Sequence, residues 1–280
     1  MTNKNKITSL ISHLFLSILS IIWLFPIFWL IMQSFRKEKG AFTNYFIPKE
    51  WTFDNYTNLF TNTELFNFPR WFMNTLLVAI ASCIISTILV LLTAYAFSRL
   101  RFALRQPLMN VILILGMFPG FMAMIAIYHI LKAIGLTQSL VSLVLVYSGG
   151  AAMGYYIAKG FFDTVPRAID EAALIDGATK NQVFWKIILP MSKPVVVYTI
   201  LTSFIAPWVD FIFVSVIMKD NYDNYTVALG LFQMLTRENI QVYFTQFCAG
   251  AVLIAIPITL LFIKMQKYYV GGVTAGGAKG

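Results

Sequence analysis

A chain of 280 residues with 59% apolar, 16% aromatic and only 12% charged residues has about half the charge of an average soluble domain, which excludes a water-soluble globular protein. The net charge of +9 does not signal nucleic-acid binding, because the basic residues are spread over short loops and form no patch or stripe. What remains is an integral membrane protein whose basic residues report its orientation in the bilayer.

A bilayer core of about 30 Å takes about 20 mostly apolar residues in a helix. Six stretches meet that requirement, at 10–32, 71–97, 107–131, 140–162, 195–218 and 247–265, and the whole chain, 1–280, reads as one transmembrane domain. The first run follows Lys4 and Lys6, but it is too long for a signal-peptide core, and Gln33, Ser34, Phe35 and Arg36 offer no small-residue cleavage pattern. It is read as an uncleaved span.

The connection 33–70 is polar and aromatic, with Pro48, Trp51, Tyr56 and Pro69; it has room for a short helix or a small cap but not for a separate domain. After the second span, Arg99, Arg101 and Arg105 crowd one short turn with no acid beside them, which marks that turn, and with it both termini, as cytoplasmic. Pro26, Pro119, Pro207 and Pro257 fall within apolar runs, where each removes a backbone donor and favours a kink. Gly116 with Gly120, and Gly150 with Gly154, have the small-xxx-small spacing that lets helices approach closely.

Cys83 and Cys248 both lie in apolar runs, which argues against a disulfide framework or a thiolate metal site. His13 and His129 have no carboxylate or second histidine at ligand spacing and read as structural. Within the fifth span, Asp210 follows Trp208, and a charge at mid-bilayer costs about 2.5–3.5 kcal/mol on insertion scales. Trp208 and Asp210 are therefore candidates for a translocation pathway; a position near the outer interface, with simple solvation, fits Asp210 equally well. The connection 219–245 carries Asp220, Asp223, Arg237 and Glu238 and suits either a soluble partner or a plain solvated link.

The most informative stretch is polar and lies between the fourth and fifth spans, at 163–194. Pro166 suits the first turn of a helix, and Asp170 and Glu171 favour the positive end of its dipole. Ala172, Ala173 and Ala178 are small enough to let another protein's surface approach the backbone, and Gly177 suits a left-handed helix end. A second amphipathic segment follows, with Val183, Phe184, Ile187, Ile188 and Leu189 apolar and Lys180, Gln182 and Lys186 polar, and Pro190 is expected to break the chain before the next span. An interfacial amphipathic helix without a partner would show the same periodicity.

Glu171, Ala172, Ala173, Gly177, Ile187, Leu189 and Pro190 are spaced as in the EAA signature of bacterial ATP-binding-cassette importer permeases, and the chain resembles that family. MFPGFMAMIAIYHILKAIGLTQS in the third span, WVDF at 208–211 and the tail GGVTAGGAKG extend the resemblance to the smaller, six-span maltose and maltodextrin permeases. The resemblance implies an all-α, type I importer permease fold in a bacterial cell membrane, with six transmembrane helices and both termini cytoplasmic. It implies a coupling helix containing Glu171, Ala172, Ala173, Asp176 and Gly177, seated in a cleft of an ATPase subunit.

The implied partners are an ATPase dimer that holds Mg-ATP, a second and larger permease subunit, an extracytoplasmic sugar-binding protein and a sugar, with maltodextrin first and another small solute such as glycerol phosphate as the alternative. The tail 266–280 is expected to reach the ATPase beyond Val270, and the loop before the sixth span to touch the binding protein. The resemblance also implies that Asn often stands in this family at the position of Asp210, a departure at a candidate pathway residue.

No cofactor site is read in the chain itself. Gly272, Gly277 and Lys279 echo a phosphate-binding loop, but Ala278 intervenes and neither Ser nor Thr follows. A secondary transporter would show matched broken helices in its two halves, which the prolines do not supply, and a membrane enzyme would need convergent nucleophiles or acids within the spans.

Overall fold

The computed structural model describes the backbone of residues 3–150 and 152–277 and the side chains of 8–150 and 154–268; Ala278, Lys279 and Gly280, at the end of the expected tail, lie outside these. The described elements are helical. In chain order they are α1 (Asn3–Ser34), α2 (Asp54–Thr61), α3 (Phe68–Arg99), α4 (Arg105–Met117), α5 (Gly120–Ala133), α6 (Leu140–Gly149) and α7 (Ala152–Thr164). Then follow α8 (Arg167–Ile175), α9 (Lys180–Val183), a π-turn (Phe184–Ile188), α10 (Leu189–Met191), α11 (Lys193–Val209), α12 (Ile212–Met218), a 3-10 turn (Tyr222–Asn224), α13 (Val227–Met234) and α14 (Ile240–Gly277).

Four segments are long and apolar enough to cross a bilayer: Thr8–Ser34, Phe68–Arg99, Leu140–Thr164 and Ile240–Tyr268. They correspond to the first, second, fourth and sixth expected spans. Counting each of two bent pairs as one span gives up to six by length and composition: α4 with α5, bent by 105°, and α11 with Lys180–Met191 of the polar stretch before it, bent by 84°.

The third expected span is therefore not one rod, and Pro119 is the reason. A residue before proline is pushed out of the helical region; Phe118 accordingly adopts φ −67°, ψ 135°, and α5 restarts at Gly120 with Pro119 in front of it. The fifth expected span, 195–218, is also divided, because α11 stops at Val209 and α12 begins at Ile212. Pro26, Pro207 and Pro257 behave differently, since α1, α11 and α14 run through them. Both glycine pairs straddle helix ends: Gly116 is in α4 and Gly120 opens α5, while Gly150 follows α6 and Gly154 is in α7. Gly116 and Gly120 therefore do not present the single small-residue stripe that their spacing suggests.

The chain divides into two compact units, 1–69 with 231–255 and 70–230 with 256–280. In the first unit, α2 is the short helix expected in the connection 33–70. Asn55 fixes it: its Nδ2 donates to the Ser34 carbonyl at 2.9 Å and the Arg36 carbonyl at 2.7 Å, while its Oδ1 accepts from Thr245 Oγ1 at 2.9 Å. Arg36 is fully buried, with Nε donating to the Glu38 carbonyl at 3.0 Å and Nη2 to the Gly40 carbonyl.

In the second unit, the start of α3 holds the 222–230 segment. Trp71 Nε1 donates to the Tyr222 carbonyl at 2.8 Å, Asn74 Nδ2 donates to the carbonyls of Asp223 and Tyr225, and Thr75 Oγ1 accepts from the Val227 amide at 2.7 Å. Gly230 lies flat on the Trp71 ring, where a Cβ would come within 2.0 Å of Cε3. Within 219–245 this segment is packed through its bound backbone carbonyls and buried Val227 and Leu229, while Asp220, Asp223, Arg237 and Glu238 are exposed.

Candidate coupling platform and span break

The 163–194 stretch forms two short helical arms around one tight corner. Pro166 precedes α8 at φ −58°, ψ 132°, one residue outside the first turn in which its sequence position suggested it. At the other end Gly177 takes φ +85°. Its amide donates to the Leu174 carbonyl at 3.1 Å, and the Ala178 amide donates to the Ala173 carbonyl at 2.9 Å, which is the paired bonding of a Schellman helix end. A side chain at that φ is strained against its own backbone by about 1–2 kcal/mol, so the corner favours glycine.

The next arm begins at a capping box. Thr179 Oγ1 accepts from the Gln182 amide at 3.3 Å, and Gln182 Oε1 accepts from the Thr179 amide at 2.8 Å. The Thr-x-x-Gln spacing that signals it is present in the sequence, yet the sequence reading passed over it.

Pro190 does not break the chain. A proline ring clashes with the carbonyl four residues earlier in a regular helix, and here the preceding turn is widened into a π-turn, with the Leu189 amide donating to the Phe184 carbonyl. Pro190 is thereby carried within α10, and the 84° bend falls around Ser192, at φ −101°, ψ 24°.

The platform has two different faces. Ala173, Val183, Phe184 and Ile188 are buried in one apolar cluster with Val90, Leu91 and Ala94 of α3, Ala158 and Phe162 of α7, Val165, and Val195 of α11. Glu171, Ala172, Leu174, Ile175, Asp176 and Gly177 are exposed. Ala173 therefore serves the protein's own packing, not a partner's approach, because it points into the cluster. Leu174 and Ile175 were missed by sequence reasoning, and Ile175 is 86% exposed at the tip of the platform. The available signal was two apolar residues directly after two alanines in a polar stretch.

Polar contacts join the same platform to the C-terminal end of α3. Ser98 Oγ donates to Asp163 Oδ1 at 2.6 Å, Arg99 Nη2 to the Val165 carbonyl at 2.8 Å, Arg167 Nη2 to the Ser98 carbonyl at 3.3 Å and Tyr95 OH to the Lys180 carbonyl at 3.3 Å. Arg99 Nε also lies 3.1 Å from Asp170 Oδ2, and both side chains are largely buried. Burial pushes the Asp170 carboxyl above its usual range, against the pull of Arg99 and then Arg167. The ion pair is close but poorly aligned: Arg99 Nε makes no hydrogen bond, and Asp170 Oδ1 is buried without a partner among the described residues. Attraction in that geometry does not offset desolvation.

The candidate pathway residues Trp208 and Asp210 stand at the break between α11 and α12. Asp210 is extended, at φ −87°, ψ 105°. Its Oδ1 accepts from the Phe213 amide at 3.0 Å and its Oδ2 from Tyr147 OH at 3.0 Å. Both carboxylate oxygens are thus used by the protein itself, one to cap α12 and one to reach α6. Trp208 is 2% exposed, edge-on to Phe72 at 5.2 Å between centroids and tilted against Phe204 at 5.9 Å.

The model of the family described as "Binding-protein-dependent transport system inner membrane component" matches residues 87–274, which include the platform and the break at Asp210. The chain belongs to this family. Among similar proteins, the galactooligosaccharides transport system permease protein GanQ of Bacillus subtilis is 37% identical over 99% of this chain and 98% of its own length. The maltodextrin transport system permease protein MdxG of Bacillus subtilis is 36% identical over 100% of this chain and 99% of its own length. The maltose/maltodextrin transport system permease protein MalG of Salmonella typhimurium is 33% identical over 99% and 98%.

Among solved structures, a bacterial ABC transporter involved in the import of the acidic polysaccharide alginate superposes with a TM-score of 0.78 at 20% identity, covering 96% of this chain and 99% of that one. The binding-protein-dependent permease thus has the type I importer permease fold and is a multi-pass protein of the cell membrane. A related alginate transporter structure, in complex with an alginate pentasaccharide-bound periplasmic protein, superposes with a TM-score of 0.66 at 15% identity, covering 93% of each chain.

Proposed function

We propose that this permease is the smaller membrane subunit of an ATP-driven sugar importer, and that Glu171 to Gly177 form the helix by which an ATPase partner moves it. The observation that carries this reading is the two-faced platform: Ala173, Val183, Phe184 and Ile188 anchor it in the bundle, while Glu171, Ile175 and Asp176 stand exposed on the other face. The similarity to permeases named for maltodextrin and galactooligosaccharides supports an oligosaccharide cargo, with maltodextrin preferred.

The remaining machinery is supplied in trans. Mg-ATP is held by an ATPase dimer on the cytoplasmic side, a larger permease subunit completes the pathway, and a sugar-binding protein delivers cargo on the opposite side. Nucleotide and loaded binding protein then bias a two-state switch between inward and outward access. In this reading the chain performs no chemistry of its own.

The test uses Glu171→Ala and Gly177→Val in the complete complex. Both variants are expected to insert normally and to lose most ATPase co-purification or ATP-dependent uptake, the valine because φ +85° costs a side chain about 1–2 kcal/mol and moves the corner. Wild-type co-purification and uptake in both variants would overturn the docking role of this face.

A further inference from the structure

We infer that Arg99 and Asp170 are positioning residues that fasten α8 to the end of α3, so that movement of the coupling helix is delivered to the second span. This inference rests on the coupling role proposed above. Covalently, α8 continues only into α7 on one side and α9 on the other. Whatever α3 receives from α8 must pass through non-covalent contacts, and these fall into two kinds.

The first kind is the apolar cluster that includes Val90, Leu91 and Ala94 with Ala173. Apolar packing holds the two helices together through shape and is not directional, so it is joined here by contacts that are. The second kind is polar and fixes register. Arg99, the last residue of α3, hydrogen-bonds the Val165 carbonyl just before α8 at 2.8 Å and sets its Nε 3.1 Å from the Asp170 carboxylate one turn into it, a charge contact without a hydrogen bond. Arg167 returns the contact by donating to the Ser98 carbonyl at 3.3 Å. A guanidinium can donate to one acceptor through one nitrogen while another nitrogen lies against a carboxylate, and a compact ammonium cannot reach both.

The pair is poorly explained as a stabilising device. Its side chains are 5% and 15% exposed, Asp170 Oδ1 lacks a partner among the described residues, and burial dominates the Asp170 carboxyl. Buried ion pairs of this kind contribute little net stability, and fixing one arrangement over its neighbours is their best-attested use. That is what a mechanical connection requires.

The experiment reconstitutes the complete complex, with its ATPase, second permease and binding protein, in vesicles and reads ATP hydrolysed per maltotriose imported. Asp170→Asn and Arg99→Gln are expected to keep ATPase co-purification and to raise that ratio about 2- to 30-fold, the range over which residues in a coupling network act. Arg99→Lys keeps the charge but not the fork and is expected to fall between wild type and Arg99→Gln; it supplies the readout if a neutral variant assembles poorly. The charge-reversed double variant, Arg99→Asp with Asp170→Arg, is expected to recover part of what each single change loses.

An unchanged ratio in assembled single variants overturns the inference and leaves the coupling role of α8 standing. A double variant no better than the worse single one also overturns it. An unmodified complex with no ATP-dependent uptake of any oligosaccharide tested overturns the function reading, and this inference with it.

Discussion

Gly177 and Asp170 sit seven residues apart and show two ways in which one residue controls a helix. Gly177 acts through backbone freedom, since its φ of +85° lets the Schellman bonds form, and this role was readable because a glycine after a short amphipathic run has few other uses. Asp170 acts through charge, and its role was only half legible. Its place near the helix start suggested a dipole interaction, whereas its partner, Arg99, lies 71 positions away, a pairing that no local pattern reveals.

The charge of Asp170 has a consequence for pH. Its carboxyl is raised in the folded protein by burial, so the folded state binds the proton more tightly than the unfolded chain does. The sign follows: the ionised form withholds stability at neutral pH, and that stability returns as pH falls through the folded value. We expect the wild-type melting temperature, relative to that of Asp170→Asn, to rise between neutral pH and about 4, because the variant cannot take up the proton. A relative melting temperature that falls over the same range would show that the pair with Arg99 outweighs burial, and parallel profiles would show that the two cancel; either result overturns the expectation.

Proline illustrates at the level of the element why the spans were legible and their breaks were not. Apolar runs of about 20 residues locate a span whatever its internal geometry, and the six runs fall on four long apolar segments, on the bent pair α4 and α5, and on α11 with α12. The same residue type ends a helix at Pro119 and passes through one at Pro26, Pro207 and Pro257. Gly116 and Gly120 flank the first case, so both sides of Pro119 have weak helical preference and nothing local resists the break. Pro190 is accommodated in a third way, by a π-turn that no periodicity of 3.6 anticipates.

At the break between α11 and α12 the controlling residue is Asp210. The carboxylate accepts from the Phe213 amide and from Tyr147 OH, and an asparagine can keep the capping bond and still pair with the hydroxyl. Alanine can do neither. Asp210→Asn is expected to unfold within a few tenths of a kcal/mol of wild type. Asp210→Ala should lose about 1 kcal/mol for the cap and about 1 to 3 kcal/mol more for the stranded tyrosine. Thermal unfolding in detergent distinguishes them, and equal losses in the two variants would mean that neither bond holds the break.

For the whole molecule, membrane sidedness was argued from arginine placement and not from packing. The turn with Arg99, Arg101 and Arg105 has no nearby acid, and insertion retains such turns in the cytoplasm. If the turn is inside, an even number of spans puts both termini inside and the connection 33–70 outside. Two exposed positions test this: Ala103 in the arginine turn and Glu64 after α2. The two native thiols are a favourable background, since Cys83 and Cys248 are free but buried, at 9% and 0% exposure. In intact cells an impermeant maleimide is expected to label Glu64→Cys and to leave Ala103→Cys unlabelled, and permeabilising the membrane should expose Ala103→Cys. Labelling of Ala103→Cys in sealed cells would invert the molecule, place α8 on the side away from ATP, and overturn the coupling role together with the topology.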